Sequence, residues 1–176
     1  MTAPVRTEAA STRRFWRVLM LIVLAAVGLR VAYVLAVTQF DNGFYDAAFY
    51  EFEARAVADG RGFVGPLPGR LAAKPAADHP PLTVLALVPA AKLPGDSQLW
   101  MRFTMALAGA SVVLLIGLLG RELAGPRAGL VAAGLGAVYA NLWMNDGLLM
   151  SETLATLTTV AALILAYRLL RRETTD

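Results

Sequence analysis

The sequence contains no cysteine and only one histidine among its 176 residues. The absence of cysteine excludes disulfide bonds and thiolate catalysis, and it leaves the redox compartment undetermined. A single histidine, His79, is too few for a multi-histidine metal site. Phosphate-binding glycine loops, dinucleotide fingerprints, nucleophile elbows and zinc-ligand patterns are also absent. These absences argue against nucleotide use by the chain itself.

Charged residues are scarce as well: they make up 16% of the chain, against a hydrophobic share of 57%. A soluble domain of this length could not bury so much apolar surface, so the composition predicts an integral membrane protein. The net charge of +3 would suggest nucleic-acid binding in a soluble protein. Here the basic residues flank apolar segments, so membrane orientation explains them and no nucleic-acid partner is expected.

Four apolar segments predict an all-α polytopic membrane protein, because each approaches the roughly 20 residues that cross a ~30 Å hydrocarbon core. Backbone amides in lipid must be bonded within their own segment, so the spans are expected to be helices. The predicted divisions are a basic tail over 1–17, transmembrane helices over 18–37, 100–120, 128–144 and 148–170, an outer loop over 38–99, and a tail over 171–176.

The arginine residues set the predicted orientation of these spans. Basic residues of the N-terminal tail, of the turn between the second and third spans, and of the C-terminus fall on one side if the chain crosses four times. That side is predicted to be the cytoplasm, with both termini on it, in a multi-pass protein of the plasma membrane. The loop over 38–99 and the Asn-Asp-Gly turn over 145–147 would then lie outside.

The outer loop is too long for a plain connector, and its first part has the pattern of an amphipathic surface helix over 46–59. Glu51 and Arg55 are spaced to pair one turn apart on that helix. Gly60 is a natural position for the helix to end. A second surface helix is expected over about 82–93.

Asp46 is the first candidate for chemistry in this loop. Its neighbours Phe44, Tyr45, Phe49 and Tyr50 are aromatic, and partial burial among them would raise its pKa toward a range useful to a general base. Such a base could take a proton from an acceptor hydroxyl. The alternative is that Asp46 only caps its own helix, since aspartate is favoured there.

Four other polar residues have both a functional and a structural interpretation. Arg30 is costly inside a span, so it either snorkels outward, pairs with an acidic residue or meets the phosphate of a lipid-linked substrate. Glu152 is a functional-site residue or a carboxylate that stabilises a helix N-terminus. Asp146 has the setting of a turn former. His79 suits proton transfer or a phosphate contact, and two following prolines fix its position, but a lone loop histidine is more often structural.

Taken in order, these segments resemble the N-terminal part of the GT-C membrane glycosyltransferases of the protein-mannosyltransferase and aminoarabinose-transferase type. After an arginine-containing first span come YDAAFYEFEARAVADGRGF, HPPL, RFTMALAGASVVLLIGLLGREL and AGLVAAGLGAVYANLWMNDGLLMSETL. The ordered pattern D-A-x-x-Y, A-x-x-x-x-x-G-x-G-F and H-P-P-L is fairly specific, whereas no single piece of it is.

The resemblance implies an inverting transfer of a sugar from a polyprenyl-phosphate donor to an acceptor hydroxyl on the extracytoplasmic side. It implies that Asp46 is the base and that Glu152, with Asp146, is the acidic position of the second outer loop. No cofactor is certain, and a divalent cation is an open alternative. The residues expected to contact the substrate are Arg30, Tyr50, His79 and Asp146.

Members of that family are usually much longer and carry more spans than four. The chain is therefore expected to be a truncated piece, a half of a split enzyme that a partner chain completes, or a small relative. The lipid bilayer and the polyprenyl-phosphate-linked sugar are its other expected partners. The alternative function is a non-enzymatic four-helix membrane scaffold or assembly protein. A small transporter subunit is less well supported, because the second and third spans lack intramembrane charge.

Overall fold

The structure is a computed structural model that describes residues 4–38, 46–65, 75 and 79–173. These residues form an all-α protein, as predicted, and the described ranges contain only one isolated β-bridge, between Val64 and Pro75. The helices are α1 (Pro4–Ala36), α2 (Asp46–Ala58), α3 (Pro81–Ala91), α4 (Ser97–Ala124), α5 (Pro126–Val138), α6 (Ala140–Gly147) and α7 (Glu152–Glu173).

Three of the described helices are long and apolar enough to cross a membrane: α1 from Ala10 onward, α4, and α7 as far as Arg172. The segment predicted as a third span is two helices instead of one. α5 has 13 residues and ends before Tyr139, whose ψ of 113° is extended. A helix of that length rises about 20 Å, which is less than the ~30 Å core. A fourth crossing, as expected from the sequence, would therefore require α5 and α6 to span the membrane together.

Small residues allow α4 and α5 to approach each other closely. A Cβ atom on Gly129 would lie 2.4 Å from the backbone oxygen of Gly117, and one on Gly120 would lie 3.0 Å from the Cα of Gly129. Ala133, one turn beyond Gly129, is fully buried. The close approach of the two helices therefore depends on small residues such as Gly129 and Ala133.

One end of the helix bundle is basic. Arg121, near the end of α4, lies with its guanidinium 4.6 Å from the ring centre of Phe15 on α1. Arg168, near the end of α7, donates a hydrogen bond of 2.7 Å to Glu122 of α4. Arg127, at the start of α5, lines a cleft together with Phe15. The start of α1, the end of α4, the start of α5 and the end of α7 therefore meet at this end.

The opposite end of the bundle is covered by α2 and α3. α2 matches the predicted surface helix, with a Glu51–Arg55 contact of 2.5 Å and with Gly60 in the left-handed region at φ 77°. α3 matches the second predicted helix to within two residues at each end. α2 packs against α3, and α3 packs against α4. One apolar cluster includes residues of these three helices and of the segment around the start of α7: Ala47, Tyr50, Ala54, Val84, Leu87, Ala90, Met101, Met105, Leu149 and Leu154.

Candidate functional site

The covered end carries an acidic side chain that solvent can reach. Asp46 is the first residue of α2, and its side chain is 54% exposed. The Oδ1 atom of Asp46 lies 3.2 Å from Nε2 of His79, a residue 33 positions further along the chain. A carboxylate in a first helical turn is also favoured by the helix dipole. Phe44 and Tyr45, two of its expected aromatic neighbours, lie outside the described residues.

His79 is held between aromatic rings. Its imidazole stacks on Phe49 with 3.9 Å between the ring centres, and it meets the ring of Tyr50 edge-on at 5.2 Å. The prolines that follow place His79 directly ahead of α3, since Pro80 precedes the helix and Pro81 is its first residue. The sequence indicates Asp46 and His79 as two separate candidates, and the structure places them in contact.

Tyr50 lies in the core beneath this pair. It is 2% exposed, and its hydroxyl is hydrogen-bonded with Ser151, just ahead of α7. Burial raises the pKa of the Tyr50 phenol, and the nearby carboxylates Asp46 and Glu152 act in the same direction, against the effect of the Ser151 hydrogen bond. Tyr50 therefore keeps its proton at neutral pH and links α2 to the start of α7.

A second polar group is buried between the long helices. Arg30 of α1 and Asp146 of α6 form an ion pair with 2.6 Å between Nε and Oδ2, and their side chains are 1% and 3% exposed. Thr153 of α7 donates to the other oxygen of Asp146, also at 2.6 Å, and Arg30 donates to the carbonyl of Ala26 at 3.2 Å. From the sequence, Arg30 is expected to snorkel outward, to pair with an acidic residue or to meet a phosphate. In the structure it pairs with an acidic residue.

Asp146 does not have the role of a plain turn former. It lies in the last turn of α6 and is 2% exposed, because its carboxylate is bonded on both sides within the bundle. A glycine on α4 makes room for it: a Cβ atom on Gly109 would lie 1.9 Å from Oδ2 of Asp146. A glycine inside a long apolar helix often marks such a close approach, and Gly109 is the sequence signal that could have located this site.

Glu152 is exposed at the first turn of α7 and connects the buried pair to the surface. It lines a small cavity together with Arg30, Asp146 and Thr153. The cavity has a volume of about 30 Å³, enough for water and far too small for a sugar. The Nη2 atom of Arg30 is buried and has no hydrogen-bond partner within the described ranges.

The described residues contain no group of three or more His, Asp or Glu side chains that could hold a metal ion. The two candidate acids, Asp46 and Glu152, both act on Tyr50 electrostatically. Both carboxylates are exposed, whereas Tyr50 is buried.

Comparison with known protein families gives a match over the second part of the chain. The family model described as dolichyl-phosphate-mannose-protein mannosyltransferase matches residues 78–176, more than half of the chain. No curated protein and no solved structure matches the chain significantly. The matched region contains His79, Asp146 and Glu152, whereas Arg30 and Asp46 precede it.

Proposed function

The chain belongs to the dolichyl-phosphate-mannose-protein mannosyltransferase family, a family of membrane glycosyltransferases of the GT-C kind, and from that premise we propose its reaction. The chain transfers a sugar from a polyprenyl-phosphate donor to an acceptor hydroxyl on the extracytoplasmic side of the plasma membrane. Asp46 is the general base. The observation that carries this assignment is an exposed carboxylate at the covered end of the bundle, fixed by a neighbouring imidazole.

The reaction assigned to Asp46 is a single displacement. Its carboxylate takes the proton of the acceptor hydroxyl while the hydroxyl oxygen forms a bond to the anomeric carbon of the sugar. The bond from that carbon to the phosphate oxygen breaks, and the polyprenyl phosphate leaves with the electron pair. The configuration at the anomeric carbon is inverted. The exposure of Asp46 then allows the proton to pass to solvent.

The charge distribution supports the proposed sidedness. Basic residues gather at the end opposite to Asp46, including Arg121, Arg127 and Arg168. Positive charge near span ends favours the cytoplasm, so the Asp46 end faces outward and both termini are cytoplasmic. Because α5 starts at the basic end and α6 carries Asp146 near the end of α1, the pair α5–α6 is proposed as the remaining crossing of four.

Glu152 is proposed as the second acidic residue of the reaction. It is exposed at the covered end, and the buried pair of Arg30 and Asp146 lies directly behind it in the same cavity. The burial of Arg30 and Asp146 favours a role in holding α7 and Glu152 in place over direct contact with the sugar. Since that cavity is too small for a sugar, we propose that a further polypeptide segment, such as a partner chain, completes the donor site.

The proposal is tested with the chain in proteoliposomes, alone and in membranes of its native host, by following radiolabelled sugar. Label is expected to move to an acceptor from polyprenyl-phosphate-linked sugars and not from nucleotide sugars, because the chain lacks nucleotide-binding motifs. Transfer from nucleotide sugars alone would overturn the donor assignment. If the chain neither transfers label nor binds the lipid-linked donor in either setting, the scaffold function takes its place.

A further inference from the structure

We propose that His79 is a positioning residue for Asp46. Its Nε2–H group donates to Oδ1 of Asp46 and leaves Oδ2 free to take the proton of the acceptor hydroxyl. This inference rests on the proposed function of Asp46 as the base, and it gives the histidine of the H-P-P-L segment a specific task. The distance of 3.2 Å between Nε2 and Oδ1 is at the long end of the hydrogen-bond range.

Helix geometry explains why the imidazole can be aimed at the carboxylate. Phe49 and Tyr50 follow Asp46 by three and four residues, so all three side chains lie on one face of α2. The His79 ring lies on this face, stacked on Phe49 and edge-on to Tyr50. Pro80 restricts the backbone conformation of His79, the residue that precedes it. The ring is therefore fixed by packing, and its Nε2 atom faces Asp46.

The Asp46 carboxylate is less restrained by packing than the His79 ring. Its side chain is 54% exposed, against 23% for His79, so without a partner Asp46 would sample several rotamers in solvent. One hydrogen bond from a fixed ring selects the rotamer that faces the ring. Misplacement of a reacting group by about 1 Å can cost about a hundredfold in rate. His79 thus contributes to catalysis by holding Asp46 in one orientation. This role does not require His79 to contact the substrate.

The two ring nitrogens of His79 have different environments. An ionised carboxylate only accepts hydrogen bonds, so Nε2 must carry the proton that is shared with Asp46. Nδ1 is buried and has no hydrogen-bond partner among the residues that the structure describes, so Nε2 is the ring nitrogen that bonds to Asp46. His79 keeps its proton throughout the reaction. The proton from the acceptor hydroxyl goes to Oδ2 of Asp46 and from there to solvent.

Two substitutions separate the hydrogen bond from the packing. His79→Gln keeps an N–H donor at about the position of Nε2 but loses the aromatic ring, whereas His79→Phe keeps the stack on Phe49 and loses the donor. For a positioning role, His79→Phe is expected to lower kcat by about tenfold to a hundredfold with little change in the KM for the donor. His79→Gln is expected to retain most of kcat. Equal activity of the two variants, or higher activity of His79→Phe, overturns the proposal.

A second measurement does not depend on sugar transfer. His79 is the single histidine of the chain, so its modification by diethyl pyrocarbonate can be followed without ambiguity by mass spectrometry. Asp46→Ala frees Nε2 and is expected to speed the modification about threefold or more. Asp59→Ala, which removes an exposed carboxylate beyond the other end of α2, is the matched control and is expected to leave the rate unchanged.

The two experiments distinguish two kinds of failure. If the modification rate is the same in the wild type and in Asp46→Ala, the His79–Asp46 bond is overturned even where sugar transfer is observed. If the modification is faster in Asp46→Ala but the wild type transfers no sugar in its native membrane, the bond exists and the proposed function is overturned, and the positioning role falls with it.

Discussion

Arg30 of α1 and Asp146 of α6, which are 116 positions apart in the sequence, form an ion pair of 2.6 Å with both side chains almost fully buried. Thr153 of α7 bonds the second oxygen of Asp146. One carboxylate thus ties together three elements of the bundle, next to the residue proposed as the second acid of the reaction, Glu152. The stability of this end of the protein is therefore expected to depend on the pair.

Loss of either member of this pair is expected to be strongly destabilising. Arg30→Met or Asp146→Asn leaves one charged side chain buried without an opposite charge, which lowers the free energy of unfolding by about 3–5 kcal/mol. The double variant is expected to cost much less than the sum of the two, because no unpaired charge remains. Denaturant unfolding in detergent, analysed as a double-mutant cycle, measures this coupling. Simple addition of the two single costs would show that the residues do not act as a pair.

The exposed pair between Glu122 and Arg168 is the matched control for that cycle. It also joins two long helices, α4 and α7, but solvent screens it, so Arg168→Met is expected to change stability little. A large loss in Arg168→Met would mean that burial does not explain the difference between the two ion pairs.

Gly109 is expected to tolerate no side chain. An added Cβ atom would lie 1.9 Å from Oδ2 of Asp146, so Gly109→Ala must displace the carboxylate or separate α4 from α6. Gly134→Ala is the control, since a Cβ atom there meets nothing within 4 Å. We expect Gly109→Ala to unfold at a clearly lower temperature than the wild type and Gly134→Ala to unfold near it. Equal unfolding temperatures for the two variants would contradict the close approach at Gly109.

Most of the helices could be predicted from the sequence because long apolar runs and helical spacing are local signals. The surface helix α2, its Glu51–Arg55 pair and its end at Gly60 follow from residues at most a few positions apart. The break between α5 and α6 is different. Tyr139 is extended although neither glycine nor proline occupies or adjoins it, so no local signal marks the interruption.

The contacts of the candidate site could be predicted only in part. Each candidate acid stood out as a charge beside an apolar segment, but partners such as Arg30 and Asp146 are brought together by the packing of distant helices. Asp146 resembled a turn former because Asn-Asp-Gly is typical of turns. Its burial depends on the space left by Gly109, which the sequence places 37 positions earlier, in another helix.

Glu152 is expected to affect sugar transfer more than folding. As an exposed carboxylate in the first turn of α7, it contributes only about 0.3–1 kcal/mol through the helix dipole. Glu152→Gln is therefore expected to stay folded and to transfer sugar at least about tenfold more slowly. Rates of transfer per folded molecule, measured beside thermal unfolding, separate the two roles. If Glu152→Gln transfers sugar at the wild-type rate and is only slightly less stable, Glu152 has no role in the reaction and only stabilises the start of α7.

The absence of native cysteine makes the proposed topology directly testable. Asp59→Cys and Met150→Cys are expected to react with a membrane-impermeant maleimide added from outside, because both positions lie at the covered end. Arg127→Cys, at the basic end, is expected to react only after the membrane is permeabilised. Outside labelling of Arg127→Cys would contradict the orientation. If Met150→Cys labels only after permeabilisation while Asp59→Cys labels from outside, α5 and α6 do not form a crossing.

The most direct test of the central claim is the rate of sugar transfer from a polyprenyl-phosphate donor by the Asp46→Asn variant, measured in the same membranes as the wild type. The amide keeps the size of the side chain but cannot take a proton from the acceptor, so a loss of about 10²- to 10⁴-fold is expected. Asp59→Asn, the same change at a residue just beyond the other end of α2, is expected to transfer sugar at the wild-type rate. Transfer by Asp46→Asn at the wild-type rate would contradict the assignment of Asp46 as the base.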